Sequence, residues 1–154
     1  MSIENVRREF EKEGIADRIL ELDQSSATVE LAAKALGCEP EHIAKTLSFD
    51  TPEGPILIVA AGNARIANPK YKQTFGCKAS MIKADQVEEK IGHAPGGVCP
   101  FAIKPGVKIY LDESLKKYET IYPACGSSNS AIKTTPAELE TITHATGWVD
   151  VCKD

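Results

Sequence analysis

No apolar run in this 154-residue chain approaches the length of a membrane span, although 42% of its residues are hydrophobic. The opening segment, MSIENVRREFEKEG, is a charged amphipathic stretch without the apolar core of a signal peptide, so a cytoplasmic location is expected. Cysteine pairing is also missing. Cys38, Cys77, Cys99, Cys125 and Cys152 are odd in number and include no CxxC spacing, which argues against a disulfide framework and a zinc ribbon. The expectation is reduced, mostly buried thiols. Cys99 and Cys125 stand apart because both fall in glycine-containing loops. There is no basic excess: the net charge of −4 does not mark a general nucleic-acid binder, while leaving room for a protein that contacts only the end of an RNA. The local gathering of Arg65, Lys70, Lys72, Lys78 and Lys83 reads as a solvated face. No internal repeat, low-complexity tract or linker divides the chain, and its length suits one domain over residues 1–154 with a sizeable core.

What is present reads as irregularly alternating helices and strands. Val6, Phe10, Ile15 and Ile19 give a helical stripe that stops near Gly14. Thr28 is placed to N-cap VELAAKAL, with Gly37 just past its end. Glu39-Pro40 opens a short helix that runs into Lys45, and TLSF and ILIVAA flank the turn TPEGP as two strands. Asn68-Pro69 is expected to be the N-cap and first position of a helix that Gly76 stops. Asp85 with Glu88 suggests a capping box for a helix ended by Gly92. VKIYL is a strand, Asp112 caps SLKKY, TIYPA is a strand, and Thr135 with Glu138 forms a capping box before a last short strand, WVDV. Strands joined by short turns argue against a purely parallel sheet. The fold class expected is α+β: one mixed, curved, partly barrel-like sheet surrounded by helices.

The most unusual segment is IGHAPGGVCPFAI, residues 91–103. Proline fixes φ and removes a donor, and glycine admits close approach to the main chain. A rigid loop with exposed amides suits a wall against which a ligand lies; the alternative is a tight structural turn. No Ser-His-Asp arrangement is legible. His42 reads as solvent-facing, and His144 as a structural or surface residue. His93 lies in the loop and is the histidine best placed for a role. A Cys99 nucleophile with His93 as its base remains a rival reading, and it needs a lowered thiol pKa. No set of His93, Cys99, Cys125 and Cys152 has metal-ligand spacing, so no metal and no cofactor are expected.

HIAKTLSFD around Lys45, GHAPGGVCPFA, the second loop YPACGSSNSAI and the helix TTPAELETIT together resemble the YbaK/ProX family of free-standing aminoacyl-tRNA deacylases. That family is similar to the editing insertion domain of bacterial prolyl-tRNA synthetase. The resemblance extends from about Thr28 to Trp148. It implies a partly closed mixed sheet flanked by helices, and hydrolysis of mischarged aminoacyl-tRNA in trans, with tRNA of proline identity as the expected substrate. It also implies roles. Lys45 would hold the terminal phosphate or ribose region. Gly96, Gly97 and Val98 would offer amides to the ester oxygen, and the ribose hydroxyl beside the ester would help activate water. His93, Cys99, Pro100 and Phe101, with Gly126, Ser127, Ser128 and Asn129 as a facing wall, would shape the substrate pocket. The partners implied are the 3′ acceptor end of an aminoacyl-tRNA and a prolyl-tRNA synthetase, and the protein is expected to be a monomer. Cys99 before Pro100 and Ala102 after Phe101 depart from the residues frequent in the family. A non-catalytic module binding a tRNA end or a nucleotide on the same fold is the alternative.

Overall fold

The computed structural model describes residues 2–153. Five strands form the main sheet: β2 (Ile43–Thr51), β3 (Gly54–Ala61), β5 (Lys108–Asp112), β6 (Tyr122–Pro123) and β8 (Gly147–Val149), in the order β6-β2-β3-β5-β8. Only the β2–β3 hairpin is antiparallel; β2–β6, β3–β5 and β5–β8 are parallel. Two small antiparallel ladders flank it: β1 (Ile19–Glu21) with β7 (Ser130–Ile132), and β4 (Arg65–Ile66) with β9 (Cys152–Lys153). The α+β class and the mixed curved sheet are as the sequence implies.

β3 reads as an unbroken apolar run because both of its faces are covered, and Leu57, Ile58, Val59 and Ala60 have no exposed surface. The first helix, α1 (Ser2–Glu13), buries Val6 and Phe10, four residues apart on one face, and Phe10 meets Phe101 edge-on at 4.8 Å between ring centroids. α2 (Val29–Leu36) is bounded as its sequence implies: Thr28 Oγ1 accepts the Leu31 N–H, and Gly37 closes the helix at φ 69°. α3 (Asn68–Phe75) and α4 (Ala84–Ile91) lie between the hairpin and β5. α5 (Pro136–Thr143) carries the Thr135–Glu138 capping box.

Three local expectations are corrected. Asn68 is not an N-cap: Ala67 takes that place, because its N–H is bonded to Val151 O and its carbonyl already receives the Tyr71 N–H. Asp85 and Glu88 form no capping box. Met81 bridges to Phe49 and the Ile82 N–H bonds to Ser48 O, which holds the chain extended through Lys83, and Lys83 becomes the N-cap. His42 is not free in solvent; its Nδ1 lies 3.0 Å from Thr120 O and its ring packs against Tyr118.

Candidate active site

The pairing of β2 leaves a gap, and a cavity of about 300 Å³ lies beside it. At its start β2 pairs with β6 through Ile43 and Ala44. Further along, the same edge is covered by the 80–82 segment: Asp50 N–H bonds to Ser80 O, and Ile82 N–H to Ser48 O. In an antiparallel ladder, alternate residues turn both main-chain groups toward one neighbour and then the other. Ser48 and Asp50 face away from β3, so Thr46 does too. The ladder to β6 ends before it would reach Thr46. The Thr46 N–H and C=O are therefore left at the cavity without a strand partner. Ala44, Thr46 and Ser48 share one face of β2, and their small side chains leave the room that larger ones would fill.

Lys45 is the third residue of β2, not an exposed residue at a helix end. It is half-buried, and its ammonium donates to Gly62 O at 3.3 Å and to Ala64 O. An ammonium carries three donors, so one is left for a ligand. Burial lowers its pKa from the ordinary lysine value; Cys152 and Glu30 oppose that shift and Arg65 adds to it. Among the described cavity residues Lys45 is the only cation, and no carboxylate or imidazole lines the wall.

The opposite lip is the glycine-rich loop. Gly92 ends α4 at φ 105°, and the chain then makes a turn from Ala94 to Gly97, closed by Gly97 N–H to Ala94 O at 3.0 Å. Pro95 and Gly96 occupy its centre, with Gly96 at φ 88°, the arrangement of a type II turn. His93, Cys99 and Phe101 anchor this loop in the core, each at most 1% exposed. His93 Nε2 lies 2.6 Å from Phe101 O and 3.5 Å from Cys99 Sγ. With those three inward, Pro95, Gly96 and Val98 turn toward the cavity. The Gly96 and Val98 amides have no acceptor among the described residues, whereas the Gly97 amide is used by the turn.

The residues expected from the sequence thus separate. Lys45, Gly96 and Val98 come together at the cavity. Gly97 lies behind it, packed on Gly126: a Cβ at Gly97 would sit 3.0 Å from Gly126 O. His93, Cys99 and Phe101 do not reach the cavity, and Pro100 borders a separate hollow with Glu9 and Lys104. A Cys99 nucleophile is disfavoured by its setting, since complete burial raises its thiol pKa well above the ordinary value and the nearby Cys125 adds to that. Gly126, Ser127, Ser128 and Asn129 do not form the facing wall either; they brace it. Ser128 O receives the Ser26 N–H at 2.5 Å, Asn129 O receives the Leu22 N–H at 2.7 Å, and Ser127 Oγ is 2.8 Å from Ser130 Oγ. The wall itself is Ser26, Ala27, Thr28, Ser130 and Ala131, with Val29, Ala32 and Tyr122. Sequence reasoning missed these. The available signal was the run of small residues SSAT before α2, which leaves a helix entry without bulk. Ser26 Oγ and Thr46 Oγ1 are shielded from solvent and lack a hydrogen-bond partner. Unpaired shielded hydroxyls are costly, and a polar ligand would satisfy them.

This fold, with a small cavity walled by main-chain donors and one lysine, places the chain among editing domains, and its sequence agrees. The aminoacyl-tRNA editing domain family matches residues 23–142, and the chain belongs to that family in its YbaK-like form. It is 49% identical over 156 positions to the uncharacterised protein YwhH of Bacillus subtilis, covering 100% of this chain and 99% of that one. It is 31% identical over 104 residues to a proline–tRNA ligase of Shouchella clausii, across 67% of this chain and only 18% of the ligase. A solved structure, described as a candidate trans-editing enzyme for prolyl-tRNA synthetase, superposes with a TM-score of 0.88 at 30% identity, covering 99% of this chain and 98% of that one. No helix among the described residues is long and apolar enough to cross a membrane.

Proposed function

We propose that the protein is a deacylase acting in trans, which hydrolyses the ester joining a small non-cognate amino acid to the terminal ribose of tRNA, with tRNA of proline identity as the substrate. The observation that carries this reading is the cavity wall: one ammonium and the unpaired amides of Gly96 and Val98, with no side-chain carboxylate or imidazole beside them. The likeness to part of a proline–tRNA ligase supports the proline identity.

In this reading Lys45 holds the phosphate or ribose of the terminal nucleotide with its remaining donor. The ester carbonyl oxygen lies against the Gly96 and Val98 amides. Water attacks the carbonyl carbon, and negative charge develops on that oxygen, where each such donor contributes about 2.7–4 kcal/mol. The carbon–oxygen bond to the ribose then breaks, the ribose oxygen takes the proton, and free amino acid and tRNA leave. The hydroxyl next to the ester orients the water, since the wall offers no general base. Ala27, Val29, Ala32 and Val98 give the cavity an apolar lining suited to a short aliphatic side chain. A methylene is worth about 1–3 kcal/mol of discrimination in such a pocket.

The test is a panel of mischarged tRNAs with wild type and Lys45→Met, which keeps the stem and removes the charge. At least a tenfold loss of turnover is expected, with the fold retained. Lys45→Met within twofold of wild type would sink the assignment. Tight tRNA binding without hydrolysis anywhere in the panel would replace the deacylase with a non-catalytic binding module. A substrate lacking the hydroxyl adjacent to the ester is expected to bind normally and hydrolyse about 100-fold more slowly; normal turnover would require a protein base.

A further inference from the structure

The charge of this chain is segregated, and the segregation is organised around the cavity. Between Glu53 and Asp85 there is no acidic residue, while Arg65, Lys70, Lys72, Lys78 and Lys83 lie within that stretch. Five cations in a chain of net charge −4 leave −9 on the rest. Both ends of this basic run, Arg65 to Lys83, adjoin residues of the cavity. At one end Gly62 O and Ala64 O hold the Lys45 ammonium, and Arg65 follows directly. At the other, Lys83 stands between Ile82 and Ala84, both of which line the wall.

The β4–β9 ladder strengthens the feature. Arg65 stands directly opposite Lys153 in its register, so two cations share one face at close range. Like charges in that arrangement destabilise a ladder. No acidic side chain among the described residues pairs with Arg65, Lys153 or Lys83. Lys70 differs: Asp150 Oδ1 at 3.0 Å and Cys152 O at 3.1 Å already occupy its ammonium. The repulsion is relieved when an anion lies across the pair.

We propose that Arg65, Lys153 and Lys83 form a phosphate-binding lip that holds the RNA backbone entering the cavity, namely the acceptor strand of the tRNA whose aminoacylated end lies inside. This rests on the deacylase reading for the identity of the RNA. It explains how an acidic protein engages a polyanion: the cations are concentrated where the strand arrives, and the negative remainder of the surface repels RNA elsewhere.

The test measures binding of a deacylated tRNA transcript to the full chain by fluorescence anisotropy across a salt series. It compares wild type, the triple variant Arg65→Gln/Lys83→Gln/Lys153→Gln, and an equal-charge control, Lys12→Gln/Lys108→Gln/Lys133→Gln. Each lost phosphate contact flattens the plot of log K against log salt by about 0.7–0.9, so the lip variant should lose about 2 in slope and about tenfold in affinity, and the control little of either. Hydrolysis of a minimal aminoacyl-adenosine ester, which lacks the strand, should be equal in all three proteins. Equal slopes for the lip variant and the control would overturn the lip, as would an unchanged lip variant on tRNA alongside preferential binding of an acidic protein by wild type. Lip-dependent binding without hydrolysis would leave the lip standing and remove the deacylase. Melting curves confirm that both triple variants fold.

Discussion

Gly97→Ala separates a loop that shapes chemistry from one that merely closes a turn. A methyl group there would lie 3.0 Å from Gly126 O and 3.1 Å from Gly126 C and Ser127 Cα. All three are main-chain atoms, so no side chain can swing aside; the two loops must part by a few tenths of an ångström. The φ of Gly97 is not in the left-handed region, so the cost comes from this contact alone. Overpacking of this kind costs about 1–3 kcal/mol. For a chain of this size that lowers Tm by about 2–12 °C. The displacement passes to Gly96 and Val98 on one side and, through Ser128 O and the Ser26 N–H, to the opposite wall. Misplacing reacting groups by 1 Å costs about 100-fold, so a shift of a few tenths should lower turnover about tenfold. Gly96→Ala is the companion variant: its Cβ finds only Ala27 Cβ at 3.7 Å, but φ 88° makes any side chain strained. The assay is single-turnover deacylation beside a thermal melt, both well below Tm. Turnover of Gly97→Ala within twofold of wild type would refute the reasoning. A collapse of Tm large enough to account for the lost activity would show that the contact is structural only.

Gly62→Ala should be more damaging than Gly97→Ala, because its Cβ would fall 2.0 Å from Pro40 O and 2.8 Å from Val29 Cγ1, under the entry to α2; equal melting temperatures for the two variants would contradict this. Native alkylation with iodoacetamide at pH 8, read by mass spectrometry, should label the half-exposed Cys38 and Cys77. It should spare Cys99 and Cys125, whose burial holds the Cys125 thiol at about 12 and that of Cys99 well above its ordinary value. Cys99→Ser should accordingly stay active, and a trapped acyl-thioester would reverse that expectation. Burial also holds His93 below its ordinary pKa, against the opposing pull of the Phe101 carbonyl and Glu9. Below pH ~6.5 the unfolded chain therefore binds a proton that the folded one refuses. This cost is absent above that pH and grows as the pH falls through it toward the depressed value. His93→Gln should flatten the decline of Tm between pH 7.5 and 5, and parallel profiles would show that His93 is not the group responsible.

Features set by neighbouring residues were legible before the fold. The Thr28 cap, the Gly37 stop and the Thr135–Glu138 box need only a few consecutive positions, and each occurs as read. TIYPA and WVDV announced β6 and β8, but the four strands of the two small ladders were not legible, because their stability lies in a distant partner. Ile19–Glu21 exists by pairing with Ser130–Ile132, and Arg65–Ile66 by pairing with Cys152–Lys153. Nothing in SSNSAI alone distinguishes a loop from a strand that will find Ile19. The same long-range pairing overrode a sound local signal at Asp85: the bonds from the 80–82 segment to β2 set where α4 could begin.

The site divides along a similar line. The glycine loop stood out because a Pro/Gly cluster is visible residue by residue, and Lys45 because HIAKTLSFD around it resembles a known family. Their geometry was hidden, because it depends on which residues the core takes. Once His93, Cys99 and Phe101 are buried, the loop can present only Pro95, Gly96 and Val98. Residues with the most reactive side chains in the loop, an imidazole and a thiol six positions apart, thus anchor it, and residues with small or apolar side chains face the cavity. The remaining wall follows from pairing that does not happen: β2 meets β6 at Ala44 and the 80–82 segment at Ser48, and Thr46 lies between them. A recognition surface made from unpaired main chain needs small residues only so that a ligand can reach it. Such a requirement leaves no motif of its own, and it becomes visible when the hydrogen bonds along a strand edge are followed to the point where they stop.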